Sequence, residues 1–356
     1  MLQELLINQP FELECGETLP ELQIAYHTYG EINAKGDNII WICHALTANS
    51  DALDWWDGLV GEGKIFDPAN YFIICANMLG SCYGATAPQS INPTTGQPYG
   101  KKFPIVTTRD MVRSHQLLQQ HLGIEKIHLL IGGSMGGQQA LEWAILDPKL
   151  IQNLCVLATN AQHSPWGIAF NESQRLALEA DPTLYTDQPD AGKAGLIAAR
   201  SIAMISYRSY MTYQQSQSEK DNKQLDDFRA SSYQRYQGKK LWDRFEPFAY
   251  ISLSKSMDNH NVGRGRDNVE AALQQISART LVIGIQSDFL FPIDEQAFLA
   301  EHIPDSYFNI IDSIYGHDGF LVEAKVITEK IEQFLDGQLR SRKQVVTPGL
   351  PGSESF

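Results

Sequence analysis

Ile127-His128-Leu129-Leu130-Ile131-Gly132-Gly133-Ser134-Met135-Gly136-Gly137-Gln138-Gln139-Ala140-Leu141 joins an apolar run to a glycine cluster around one serine, then to helical spacing. Read as strand, tight turn and helix, it has the form of a nucleophile elbow, Gly-x-Ser-x-Gly on a turn too sharp for large flanking side chains. Such a turn lifts the Ser134 hydroxyl above the sheet. It also sets the Met135 N–H at a helix N-terminus, where it can bind an oxyanion. The same residues could form a glycine-rich turn that merely packs closely. A Walker phosphate loop would need Gly-Lys-Ser/Thr, which is absent, and the dinucleotide spacing Gly-x-Gly-x-x-Gly is not matched.

Outward from Ser134 the pattern alternates. Thr108 to His121 has helical spacing, Ile127 to Ile131 is strand, Gln138 to Leu146 is helix, and Leu154 to Leu157 is strand again. Upstream, Leu22 to Tyr29 alternates as a strand, while Ile39 to Ile42 and Tyr71 to Ile74 read as buried strands. This rhythm predicts an α/β fold, a mostly parallel sheet flanked by helices. Residues 163 to about 275 hold no convincing buried strand, many aromatics and a polar run from Gln214 to Gln224. They predict a helical cap with one exposed, mobile turn. The alternation then resumes: Thr280 to Ile285 as strand, Asp294 to His302 as helix, Tyr307 to Ile311 as strand, Leu321 to Leu335 as a closing helix. The expected division is a core of residues 1–162 and 276–340, a cap of 163–275, and a loose C-terminal tail of 341–356.

At 356 residues the chain is long for one domain, which suits a core carrying an insertion. Its 28 basic and 42 acidic residues give a formal net charge of −14, which argues against nucleic acid or an anionic membrane as the main partner. No apolar run has the length of a membrane span, and Met1-Leu2-Gln3-Glu4-Leu5 lacks the basic and apolar regions of a signal peptide. The five cysteines are scattered, with no Cys-x-x-Cys pair, which suits reduced thiols in a cytoplasm better than disulfides or a metal site.

A serine attacks only if a base sits beside it and a carboxylate orients that base. In the α/β-hydrolase fold the order is Ser, Asp or Glu, then His, each beyond the C-terminal end of a strand. Asp288 follows the strand ending at Ile285, and His317, in Tyr315-Gly316-His317-Asp318, follows the strand ending at Ile311. Ser134, Asp288 and His317 are therefore the candidate catalytic residues. The histidines at 27, 115, 121, 128, 260 and 302 lie at no strand's catalytic end and read as ordinary core or surface residues. His163, at the cap entrance, could touch substrate but has no evident partner. His44 opens the loop His44-Ala45-Leu46-Thr47 after another strand. That loop supplies the second oxyanion N–H, from Leu46 beside Met135, and His44 reads as its structural residue.

Taken with Ala25-Tyr26-His27-Thr28-Tyr29-Gly30, Trp55-Trp56-Asp57-Gly58-Leu59, Asn77-Met78-Leu79-Gly80-Ser81-Cys82-Tyr83-Gly84, Phe170-Asn171-Glu172, Ser256-Met257-Asp258 and Ser287-Asp288-Phe289-Leu290-Phe291, these motifs make the chain resemble the homoserine O-acetyltransferases. The likeness runs from about residue 10 to 336. It departs between Asp181 and Arg200, which looks a few residues short, and at Gly319, where alanine is common. The resemblance implies an α/β-hydrolase-fold acyltransferase of methionine biosynthesis, cytoplasmic and homodimeric. It would need no metal and no permanently bound cofactor, with acetyl-CoA as co-substrate and L-homoserine as acceptor. It further implies Arg200 as partner of the substrate carboxylate, Tyr207 as an added hydroxyl contact and Asp318 as partner of the ammonium group. Leu290 stands where succinyl-transferring members carry arginine, so the resemblance implies an acetyl donor. A succinyl donor, serine as acceptor, and plain ester hydrolysis stay open at this point.

Overall fold

Strands at the centre of the chain are apolar on both faces, which obliges the molecule to cover both. In the computed structural model, which describes residues 1–221 and 223–339, eight strands form one sheet. They are β1 (Leu2–Ile7), β2 (Leu22–Tyr29), β3 (Ile39–Cys43), β4 (Phe72–Ala76), β5 (Ile127–Gly133), β6 (Ile151–Leu157), β7 (Arg279–Ile285) and β8 (Ser306–Ile311). The order is β1-β2-β4-β3-β5-β6-β7-β8. β2 is antiparallel to both its neighbours, and every pair from β4 to β8 is parallel. The parallel strands all point their C-terminal ends to one edge of the sheet, where loops can meet above it.

Alternation along each strand splits the core into two layers. Ile39, Trp41, Leu130 and Val156 face one layer, which is closed by α1 (Thr108–His121), α2 (Met135–Leu146) and, later in the chain, the helix Ile293–His302. Ile40, Ile42, Leu129, Ile131 and Cys155 face the other, packed with Trp56, Phe66 and the helix Ala324–Leu335 through Ile327, Ile331 and Phe334. α1 starts where the sequence sets a capping box: Thr107 accepts from the Asp110 N–H, and the Asp110 carboxylate accepts from the Thr107 N–H.

The insertion is helical: α3 (Pro165–Glu179), α4 (Lys193–Tyr207), α5 (Tyr210–Gln217), α6 (Arg229–Trp242) and α7 (Pro247–Asp258). Its two ends are stitched side by side. Gln162 bridges Asn261, the His163 N–H donates to the His260 carbonyl, and the Val262 N–H donates to the Ala161 carbonyl. The following short helix Val269–Leu273 packs back on α2 and on α8 (Ile293–His302), as part of the core.

Three expectations need correction. The polar run from Gln214 begins as the last turn of α5, with the irregular, exposed stretch only after Gln217. The closing helix is two helices, Gly319–Val322 and α9 (Ala324–Leu335), broken at Glu323 with ψ at 42°. β1 has no counterpart among the strands expected from the sequence, because an exposed edge strand carries little apolar alternation. The tail expected over 341–356 lies outside the described residues. Among the described residues, no helix is long and apolar enough to cross a membrane.

Candidate active site

The turn between β5 and α2 holds Ser134 at φ 56° and ψ −127°, a backbone region costly for a residue with a side chain. Neighbours enforce it. The Ser134 N–H donates to the Leu157 carbonyl at 2.9 Å, and its carbonyl accepts from Thr159 Oγ1 at 2.8 Å. The flanking glycines leave no alternative, since a Cβ on Gly132 would sit 2.3 Å from the Gly136 carbonyl oxygen, and one on Gly136 would sit 2.0 Å from that of Cys43.

His317, in a 3₁₀ turn after β8, places Nε2 2.8 Å from Ser134 Oγ and Nδ1 2.7 Å from Asp288 Oδ2. The second oxygen of Asp288 accepts from the N–H groups of Leu290 and Phe291, both at 2.9 Å, so the carboxylate is held by the start of its own turn. All three residues are buried. Phe291 stacks on the imidazole, centroids 4.9 Å apart, and Phe320 meets it edge-on at 5.4 Å. Burial alone would pull the His317 pKa down, but the Asp288 carboxylate outweighs it and holds the value above that of a free imidazole.

Ser134 and His317 open into a cavity of about 500 Å³ whose walls include Leu46, Trp55, Arg200, Tyr207, Lys240, Arg244 and Asp318. Met135 is the first residue of α2, so its N–H has no acceptor within the helix and is available beside Ser134. Leu46 lines the same cavity from the loop after β3. His44 fixes that loop: its ring Nδ1 lies 2.9 Å from the Ala45 carbonyl, and its Nε2 accepts from the Met78 N–H at 3.1 Å. Burial pushes His44 down to about 4, so it stays neutral and structural.

The cap supplies Arg200 and Tyr207 to the cavity wall. The Arg200 guanidinium lies 5.1 Å from the Tyr207 ring centroid, and its buried Nη1 has no hydrogen-bond partner among the described residues. Tyr207 offers its ring as a shelf for Arg200 and as a neighbour of His317 at 5.9 Å, while its hydroxyl is engaged with Tyr250. Burial raises the Asp318 carboxyl, partly offset by Arg208, whose Nε lies 2.7 Å from Asp318 Oδ2. Arg208 carries no sequence motif. Its only signal is its place one residue after Tyr207, where the helix ends.

Two expected positions move. Leu290 is buried in the core and does not line the cavity; its main link to the site is the N–H it gives Asp288, because the turn carries its side chain inward ahead of Pro292. His163 does not line the cavity either. Its Nε2 pairs with Asn171 Nδ2 at 3.2 Å, its ring packs on Phe291, and burial takes it down to about 4. The histidines at 27, 115, 121, 128, 260 and 302 also lie outside the cavity wall.

A family model described as the alpha/beta hydrolase fold matches residues 38–324. A homoserine O-acetyltransferase from Cyclobacterium marinum is 49% identical over 335 residues, spanning 94% of this chain and 95% of that protein. The solved homoserine O-acetyltransferase of Staphylococcus aureus superposes with a TM-score of 0.80 at 27% identity, covering 97% of this chain and 98% of that one. The solved esterase E22 superposes with a TM-score of 0.85 at 24% identity over 94% of this chain and 100% of its own, a likeness of fold alone. Backbone likeness therefore does not separate transfer from hydrolysis.

Proposed function

The chain belongs to the homoserine O-acetyltransferase family of the α/β-hydrolase fold, and from that premise we propose that Ser134 carries the acetyl group of acetyl-coenzyme A to the hydroxyl of L-homoserine. The observation that carries this reading is the pairing of a serine–histidine–aspartate relay with Arg200, whose buried Nη1 has no hydrogen-bond partner among the described residues, and a carboxylate, Asp318, in one cavity. A plain esterase has no use for that pair. An amino acid has use for both, its carboxylate on the Arg200 fork and its ammonium on Asp318.

In the first transfer His317 Nε2 takes the Ser134 hydroxyl proton as Oγ attacks the thioester carbonyl. The oxyanion is held by the N–H groups of Leu46 and Met135. Collapse breaks the C–S bond, and the proton on His317 leaves with the coenzyme thiol. In the second, His317 takes the homoserine hydroxyl proton, that oxygen attacks the acyl-serine, and the proton returns to Ser134 Oγ as O-acetyl-L-homoserine departs. Asp288 keeps Nδ1 protonated and the ring oriented throughout. Neither transfer draws on a metal. The acetyl donor is supported by the homoserine O-acetyltransferase relatives rather than by Leu290, which lies in the core away from the cavity wall. We read the protein as a cytoplasmic enzyme of methionine biosynthesis acting as a homodimer, a state supported by apolar side chains exposed on the cap, among them Trp166, Ile205, Tyr210 and Met211.

The test is intact-mass spectrometry after acetyl-coenzyme A alone, followed by thiol release with homoserine or serine against acetyl- or succinyl-coenzyme A. One acetyl adduct on Ser134, cleared by homoserine and absent in Ser134→Ala, is the expected result. An adduct on Cys82, or clearance by water as fast as by homoserine, would overturn it.

A further inference from the structure

Resting on the reading that an acyl-coenzyme A is the donor, we propose that Lys240 and Arg244, at the C-terminal end of α6 and just beyond it, form the subsite for the phosphates of the donor's nucleotide. Both line the cavity that contains Ser134, and both are exposed. In a chain of net charge −14, that wall is an exception: three cations, Arg200, Lys240 and Arg244, against two carboxylates, Asp54 and Asp318. Asp318 is already held by Arg208, and Asp54 is exposed.

The two cations are not consumed by the fold. Neither Lys240 nor Arg244 has a carboxylate within ion-pair distance among the described residues, whereas the adjacent Lys239 is spent on Asp243 at 2.6 Å. Arg244 is oriented by neutral partners only. Its Nη1 donates to the Thr47 carbonyl and, at 2.7 Å, to the Tyr83 hydroxyl, which fixes the side chain while leaving its charge uncompensated. Thr47 follows Leu46, so the same arginine ties the cap to the oxyanion loop. Their sequence neighbours Leu241 and Phe245 are buried, Phe245 against Tyr83 and Tyr250, which anchors this stretch of the cap. One cavity that holds the reactive Ser134 and, on its wall, cations with no carboxylate partner among the described residues fits a thioester whose neutral arm ends in phosphates. An uncharged ester would gain nothing from them.

Isothermal titration of free coenzyme A into the full chain, wild type, Lys240→Glu and Lys239→Glu, tests this. The two variants change the net charge equally, so only a local role separates them. We expect Lys240→Glu to weaken coenzyme A binding about tenfold at low ionic strength, the scale of an exposed ion pair replaced by a repulsion. Added salt should narrow the gap, and Lys239→Glu should match wild type. With N-acetylcysteamine thioester, which has no phosphate, the kcat/KM advantage of acetyl-coenzyme A should shrink by a similar factor in Lys240→Glu and in Lys240→Ala by less. Unchanged coenzyme A affinity in Lys240→Glu, or an equal loss in Lys239→Glu, overturns the proposal. Binding that depends on Lys240 in a protein that transfers nothing to homoserine would uphold the subsite and overturn the functional reading instead.

Discussion

His317 is where burial and charge pull in opposite directions. Burial favours the neutral imidazole, while Asp288, and to a lesser degree Asp318, favour the charged one and prevail. A raised value means the proton is held to higher pH, and only the neutral ring can accept the serine proton. Acyl-enzyme formation should therefore fall as pH drops through a midpoint above the ordinary imidazole value of about 6.5. Asp288→Asn removes the stronger opposing charge and leaves burial, so its midpoint should move to lower pH, with a plateau about 10³–10⁴-fold lower. A stopped-flow pH profile of the first thiol burst checks both, and an unmoved midpoint would detach Asp288 from His317. Ser134, Asp288 and His317 were legible in the sequence because each follows a strand end in a fixed order. Arg208 and the Phe291 stack were not, since they depend on how the cap and the Asp288 turn fold back over the histidine. Leu290 misled for the same reason: two residues beyond a catalytic aspartate says nothing about which way the side chain turns.

The elbow owes its shape to close approach between elements. Gly136 lies against the end of β3, where an added methyl would stand 2.0 Å from the Cys43 carbonyl oxygen, a backbone atom that cannot swing aside. Gly136→Ala should destabilise the fold by at least about 2 kcal/mol and displace the oxyanion loop. Urea unfolding and the burst amplitude measure the two effects, and a variant unchanged in both would mean the loop yields more readily than its packing suggests. Helices and strands around the elbow could be placed from periodicity, since α1 spans the very residues its spacing indicates. What periodicity missed were β1, half in solvent, and the break at Glu323, which apolar spacing runs straight across.

Across the whole molecule, one buried carboxylate gathers distant parts of the chain. Glu142 of α2 receives Arg109 of α1 and Arg266 of the segment returning from the cap, each at 2.7 Å, while Glu14 near the N-terminus pairs with Arg109 and Arg264. Glu142→Gln leaves two guanidinium groups without their shared charge, and should lower unfolding free energy by roughly 3 kcal/mol. The urea midpoint should fall at constant m-value. A loss that disappears in molar salt would mark the cluster as an ordinary surface pair. Arg264 and Arg266 of this network follow closely on Asn261, whose bridge to Gln162 closes the two ends of the cap together. Because the cap departs and rejoins at neighbouring points, it is an interchangeable part. Its length and sequence can therefore vary between Gln162 and Asn261 without shifting the strand ends that carry Ser134, Asp288 and His317, provided the contacts of Arg208 with Asp318 and of Arg244 with Thr47 are kept.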